Sequence, residues 1–97
     1  MNSYQFLIRP DLIRGLALDV VKLMADGAPQ PEELAGAPLL ENWSFDPPIA
    51  SGMAGYVWGH PTLGDGHVRT TPVVILDSGQ TWARTISRFY RLGARSS

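Results

Sequence analysis

The chain contains no cysteine. Disulfide frameworks, zinc–thiolate sites and cysteine nucleophiles are therefore excluded. A reducing cytosol fits this composition. The first ten residues, Met1 to Pro10, carry no basic leader and no long apolar run, so no signal peptide is expected. No stretch approaches the ~20 apolar residues of a membrane span. Serine, threonine and lysine stand in no recognisable nucleophile motif, and no triad is assignable. The glycines at Gly55, Gly59, Gly64 and Gly66 follow no phosphate-loop pattern, and read as turn and bulge residues. An enzyme is not expected.

What is present describes one small domain, residues 1–97. Hydrophobic residues make up 44% and charged residues 18%, which is too apolar for a disordered chain. Three tryptophans each offer on the order of 200 Å² to a thin core. Charge is unevenly placed. Residues 1–50 carry three basic side chains against seven acidic, and residues 51–97 carry five against two. Two halves of opposite sign either neutralise each other across the fold or form two faces.

Asp11 to Met24 reads as a helix. Leu12, Leu16, Val20 and Leu23 recur at helical spacing, Pro10 suits the start and Gly27 the end. Gly15 in its interior suggests a close packing contact. Tyr4, Phe6 and Leu7 either fold back on the helix or begin it. Pro31–Ala35 reads as a short helical turn with Glu32 and Glu33 at its solvated start. Leu39–Phe45 alternates like a strand, ended by Asp46-Pro47-Pro48, with Ile49–Gly52 as a connector or edge.

Residues 55–93 hold two of the three tryptophans, both histidines and four of the seven arginines. They are expected to form a small antiparallel sheet. Met53–Gly59 and Val68–Leu76 read as strands, with Asp65-Gly66 as a hairpin turn. Pro72 marks an edge or a bulge, and Asp77–Gly79 a further turn. Trp82–Leu92 fits two patterns. Helical spacing lines up Arg84, Arg88, Arg91 and Arg95, whereas the residue types and the preceding turn favour a strand. A strand is expected, with Arg95–Ser97 frayed.

The fold class expected is α+β: an N-terminal helix or helices packed on a three- to four-stranded antiparallel sheet. Leu12, Leu16, Val20, Leu23, Trp43, Val57, Val74, Leu76 and Ile86 should form the core. The candidate partner-binding residues are Arg69, Arg84, Arg88, Arg91, Trp82 and Tyr90. Arginine interleaved with aromatics is the composition of protein hot spots and of nucleic-acid surfaces. It also suits arginine stems that simply cover a core. His60, Asp65 and His67 flank one turn, but their spacing matches no metal motif, and no metal or cofactor is expected. An exposed edge at Pro72 would allow a homodimer.

Gly59-His-Pro61, Asp65-Gly66, Thr70-Thr-Pro-Val73, Leu76-Asp77 and Trp82-Ala-Arg-Thr-Ile-Ser-Arg-Phe-Tyr-Arg-Leu-Gly93 together resemble a family of small uncharacterised alphaproteobacterial proteins, often found near mobile elements. The resemblance carries no catalytic residues. It implies a bacterial, cytoplasmic protein, and a phage or plasmid accessory role of the anti-CRISPR kind. The leading expectation is thus a non-enzymatic inhibitor that binds a bacterial protein or ribonucleoprotein complex. Its acidic half would mimic nucleic acid, or its arginine–aromatic surface would engage the partner directly. The alternative is a nucleic-acid-binding regulator using that arginine–aromatic surface. No membrane partner is expected.

Overall fold

A computed structural model describes residue 3 and residues 5–45 and 52–96. Tyr4, Asp46–Ser51 and Ser97, on which several expectations above rested, lie outside the described residues. The elements in chain order are α1 (Pro10–Asp26), α2 (Pro31–Ala35), β1 (Leu39–Phe45), β2 (Met53–Trp58), β3 (Gly66–Arg69), β4 (Val73–Leu76), β5 (Trp82–Thr85) and β6 (Phe89–Leu92). The α+β class holds. The sheet, however, has six strands in the order β3-β2-β1-β6-β5-β4, not three or four. It is antiparallel except for the β1–β6 pair, which is parallel.

Two expected strands each became two. Val68–Leu76 breaks at Thr70–Pro72, where proline removes a ladder donor, and its halves become opposite edges of the sheet. Trp82–Leu92 is extended, as its residue types suggested, but turns sharply at 86–88. The Thr85 hydroxyl organises that turn. It accepts the Ser87 and Arg88 N–H groups at 3.2 Å each and donates to the Arg88 carbonyl at 3.1 Å.

The link between β3 and β4 forces the sheet to curl. A flat six-stranded sheet separates its edges by about 24 Å. Three linking residues span at most about 14 Å between the strand ends. The edges must therefore swing toward each other. Thr70 fastens the seam: its N–H donates to the Met53 carbonyl at 2.7 Å, and its hydroxyl accepts the Met53 N–H at 2.9 Å. Across the link, Ile86 N–H donates to the Pro72 carbonyl at 3.0 Å.

The concave side of the curled sheet holds the main core: Leu40, Trp43, Met53, Val57, Ala83, Tyr90 and Leu92. A second cluster, Leu23, Ala37, Trp82 and Phe89, lies between the outer side and the helices. Strands β5 and β6 thus alternate between two buried faces. Trp82 and Phe89 turn to the helices, while Ala83 and Tyr90 turn to the inner core. Leu23, Trp43 and Val57 are buried as expected. Leu12, Leu16 and Val20 are half-buried because α1 rides outside the main core, and Leu76, on edge strand β4, and Ile86, in the β5–β6 turn, are half-buried too. Val74 is exposed, since the register slips between Val73 and Ile75.

Helix α1 starts at Pro10 without using Phe6 or Leu7, and ends on Gly27 at φ 81°, whose N–H returns to the Leu23 carbonyl at 2.8 Å. The C-terminal segment does not fray up to Ser96. Trp43 N–H donates to the Ala94 carbonyl at 3.3 Å and Ser96 N–H to the Trp43 carbonyl at 2.7 Å. The Arg95 guanidinium lies over the Trp43 and Phe45 rings, 5.1 and 5.7 Å from their centroids. Cation–π contact and a strand bridge hold what composition alone would release.

Candidate partner-binding surface

The sheet alternation decides which of the candidate residues face outward. Arg84 is 3% exposed. Its Nε–H donates to Asp19 of α1 at 2.9 Å, its Nη1 to the Thr85 carbonyl at 2.6 Å, and its guanidinium lies 5.4 Å from the Phe89 centroid. The acidic N-terminal half and the basic C-terminal half meet here. Trp82 and Tyr90 are buried in the two clusters. Arg91 is half-buried and donates through Nε to the Ala37 carbonyl at 2.9 Å. Arg88 is half-buried at the β5–β6 turn, beside an open depression of about 270 Å³ that it shares with Glu33, Pro38 and Phe89. Arg69 is exposed on β3. The structure therefore scatters these six side chains over several faces.

A different arginine–aromatic group stands together on β2 and β3. In β2, Ala54, Tyr56 and Trp58 alternate outward while Met53 and Val57 point into the core. Antiparallel pairing sets Tyr56 opposite His67 and Ala54 opposite Arg69. The Tyr56 ring lies 4.7 Å from Trp58 and 5.3 Å from His67, centroid to centroid. Trp58 remains 47% exposed. The small residues Ala54 and Gly55 leave a depression of about 330 Å³ beside these rings, walled by His67, Val68 and Arg69. The result is a ridge of three rings with a guanidinium-bearing hollow next to it.

Period-two spacing along Met53–Trp58 carried this signal in the sequence. The cross-strand placement of His67 did not show, because it depends on a seven-residue loop rather than a two-residue hairpin. That loop, residues 59–65, is pinned by its own polar groups. The Asp65 carboxylate accepts the Gly59 N–H at 2.9 Å. His60 Nδ1 accepts the Thr62 and Leu63 N–H groups at 3.1 Å each. Partial burial, and then the nearby Arg88 charge, lower the His60 pKa from its ordinary value. His60 and Asp65 are thus committed to the loop backbone. No group of three His, Asp or Glu side chains suited to a metal ion occurs among the described residues.

Tyr90 beneath the Arg88 turn has its pKa raised by burial, partly offset by Arg88. Among the described residues, every buried side-chain polar atom has a hydrogen-bond partner, so the interior presents no unpaired acid or base. No described helix is long and apolar enough to cross a membrane.

Residues 14–97 match a family of unknown function, DUF6634. The chain belongs to that family. The match takes in α1 from Arg14, the whole sheet and the C-terminal bridge, so the DUF6634 unit is the curled sheet with its outer helix. No curated protein and no solved structure matches the chain.

Proposed function

We propose that this DUF6634 protein is a non-enzymatic binding protein that engages a protein partner through the outward face of β2 and β3. One observation carries the reading. Trp58 stays half-exposed in a chain that buries Trp43 and Trp82, and it stands against Tyr56, whose other side meets His67, with Arg69 on the same neighbouring strand opposite Ala54. Trp, Tyr and Arg are the residues in which interface energy concentrates. A pocket-side arginine beside exposed rings suits an acidic or aromatic partner surface. The sequence resemblance at residues 58–93 supplies the biological setting: a cytoplasmic, alphaproteobacterial protein near mobile elements. On that basis the partner is a bacterial protein or ribonucleoprotein complex, and the role is inhibition of a defence complex.

The same rings support a second reading as a nucleic-acid-binding regulator, because stacked aromatics beside arginine accept unpaired bases. The net charge of −1 favours the protein partner, since nucleic-acid affinity is mostly electrostatic. The test compares wild type with Trp58→Ala and Arg69→Ala as tagged baits in host lysate, with and without nuclease. A protein complex retained at high salt by wild type and lost from both variants supports the first reading. Nucleic acid recovered alone, and released by salt, supports the second. Equal capture by all three baits removes this face from the proposal.

A further inference from the structure

Helix α1 has two apolar faces, and the fold uses one. Leu12, Leu16 and Leu23 turn toward the sheet, where Leu23 is buried. Ile13, Ala17, Val21 and Met24 recur at i, i+4, i+8 and i+11, with Leu18 and Ala25 beside them. This places them on the far side of the helix. Val21 and Leu18 are each 65% exposed and Met24 is 83% exposed. Leu7, 96% exposed, and Ile8 precede the helix.

We infer that α1 is the interface of a homodimer, with the α1 helices of two copies packed antiparallel about a two-fold axis near residue 19. The area is sufficient. The large apolar side chains of this stripe, with Leu7 and Ile8, expose on the order of 700 Å² per copy, close to the ~800 Å² each partner gives to a standard interface. A monomer's largest apolar patch is ordinarily ~300–600 Å². The stripe is also self-complementary in shape. Antiparallel pairing about residue 19 sets small Ala17 against Val21, and Ile13 near Met24, so that bulk meets space at the centre.

Charge chooses the direction. The last turn of α1 holds no basic residue and carries Asp26, so that end is electronegative. The first half of the helix and its cap carry Arg9, paired with Asp11, and Arg14, while the second half carries Lys22 with Asp26 and with Asp19, which is held by Arg84. Antiparallel packing sets the electronegative end of each helix beside the arginine-bearing end of the other. Parallel packing would bring two electronegative ends together. This surface differs from the open edges β3 and β4, which the short link draws together at one end.

The experiment measures the mass of the full chain by sedimentation velocity from low to several hundred micromolar. Twice the 10.6 kDa of one chain is expected for wild type at the high end, and the single-chain mass for Val21→Glu and Leu18→Glu. Wild type that stays single throughout overturns the inference. So do variants that remain double, which would place the interface elsewhere. Because the chain has no cysteine, single-cysteine variants give an independent readout. Leu18→Cys, next to the axis, should cross-link under mild oxidation much faster than Met24→Cys. Equal rates, or a faster Met24→Cys, overturn the antiparallel arrangement.

Discussion

The Asp19 carboxylate receives the Nε–H of Arg84 at 2.9 Å across 65 residues of chain. One partner is on α1 and the other on β5. The pair is therefore a directional constraint on how α1 lies. Arg84 is almost wholly buried and Asp19 about four-fifths so.

Removing the acid leaves a buried guanidinium with, among the described residues, the Thr85 carbonyl and the Phe89 ring as partners. Asp19→Ala is expected to cost about 3 kcal/mol, the lower end for breaking a buried pair, because Asp19 keeps some access to water. The double variant Asp19→Leu/Arg84→Met should cost less than the two single changes added together. Urea denaturation of the wild type, Asp19→Leu, Arg84→Met and the double variant checks this, and strict additivity would show that the two groups do not interact.

Gly15 lies beside that pair. A Cβ built there would approach Arg84 Nη2 to 3.9 Å, an ordinary contact. Glycine inside a helix is unfavourable by about 1 kcal/mol relative to alanine. Gly15→Ala should therefore stabilise the protein by roughly 0.5–1 kcal/mol. A lowered urea midpoint would mean that the helix sits closer to β5 than the contact allows.

These contacts show what the sequence could and could not reveal. The helix of Leu12, Leu16 and Leu23 was legible because its period is local. So was the strand character of Trp82 to Leu92, which rests on residue type. The number of strands was not legible, because the breaks at Thr70–Pro72 and at Ile86–Arg88 depend on Pro72 at a seam and on one hydroxyl, Thr85. The arginines of β5 and β6 read as a surface stripe because a stripe is a periodicity. Their burial depends on whether a helix covers them, which no local pattern states. The Tyr56–Trp58–His67 ridge was only half legible, as its third ring arrives through strand pairing.

Thr85 is fully buried, and its hydroxyl serves one acceptor and two donors in the β5–β6 turn. Thr85→Val keeps the shape and removes that oxygen. The Ser87 and Arg88 N–H groups then lose this acceptor, while the Arg88 carbonyl keeps the Thr85 N–H at 2.9 Å, so a cost of about 1–3 kcal/mol is expected. Thr85→Ser should recover most of it. Hydrogen exchange at Ser87 and Arg88 would rise selectively in the valine variant. Unchanged exchange there would show that the hydroxyl does not hold the turn.

Two glycines differ in what surrounds them. A Cβ at Gly55 would fall 2.8 Å from the Glu41 carbonyl oxygen and 3.1 Å from Trp43 Cα. Both are backbone atoms at the β1 bulge, where Asn42 takes φ 52°. The three atoms nearest a Cβ at Gly93 all belong to the Glu41 carboxylate, which can swing aside at the loss of its bond from Ala94 N–H. Gly55→Ala should therefore cost about 1–3 kcal/mol, and Gly93→Ala about 1 kcal/mol. Thermal midpoints in the reverse order would contradict this account of the bulge.

The His60 loop gives the fold a pH dependence with a definite sign. Nδ1 accepts two backbone N–H groups, so it must carry a lone pair, and the proton of the neutral ring sits on Nε2. Protonating Nδ1 removes the acceptor and places a cation near Arg88. Both effects favour the neutral ring, in keeping with a pKa lowered chiefly by partial burial and then by Arg88. The unfolded chain, with histidine near 6.5, takes up this proton more readily than the folded one. The stabilisation is thus complete above about pH 6.5, and is lost as pH falls from there through the folded pKa. His60→Asn offers an amide oxygen where Nδ1 stood, and cannot titrate. It should keep the loop while removing this part of the acid sensitivity below about pH 6.5. Urea midpoints across that range, with the His60 ring followed by NMR, check both halves. A His60 titration midpoint above 6.5 would reverse the sign and rule out partial burial and the Arg88 charge as the ruling influences.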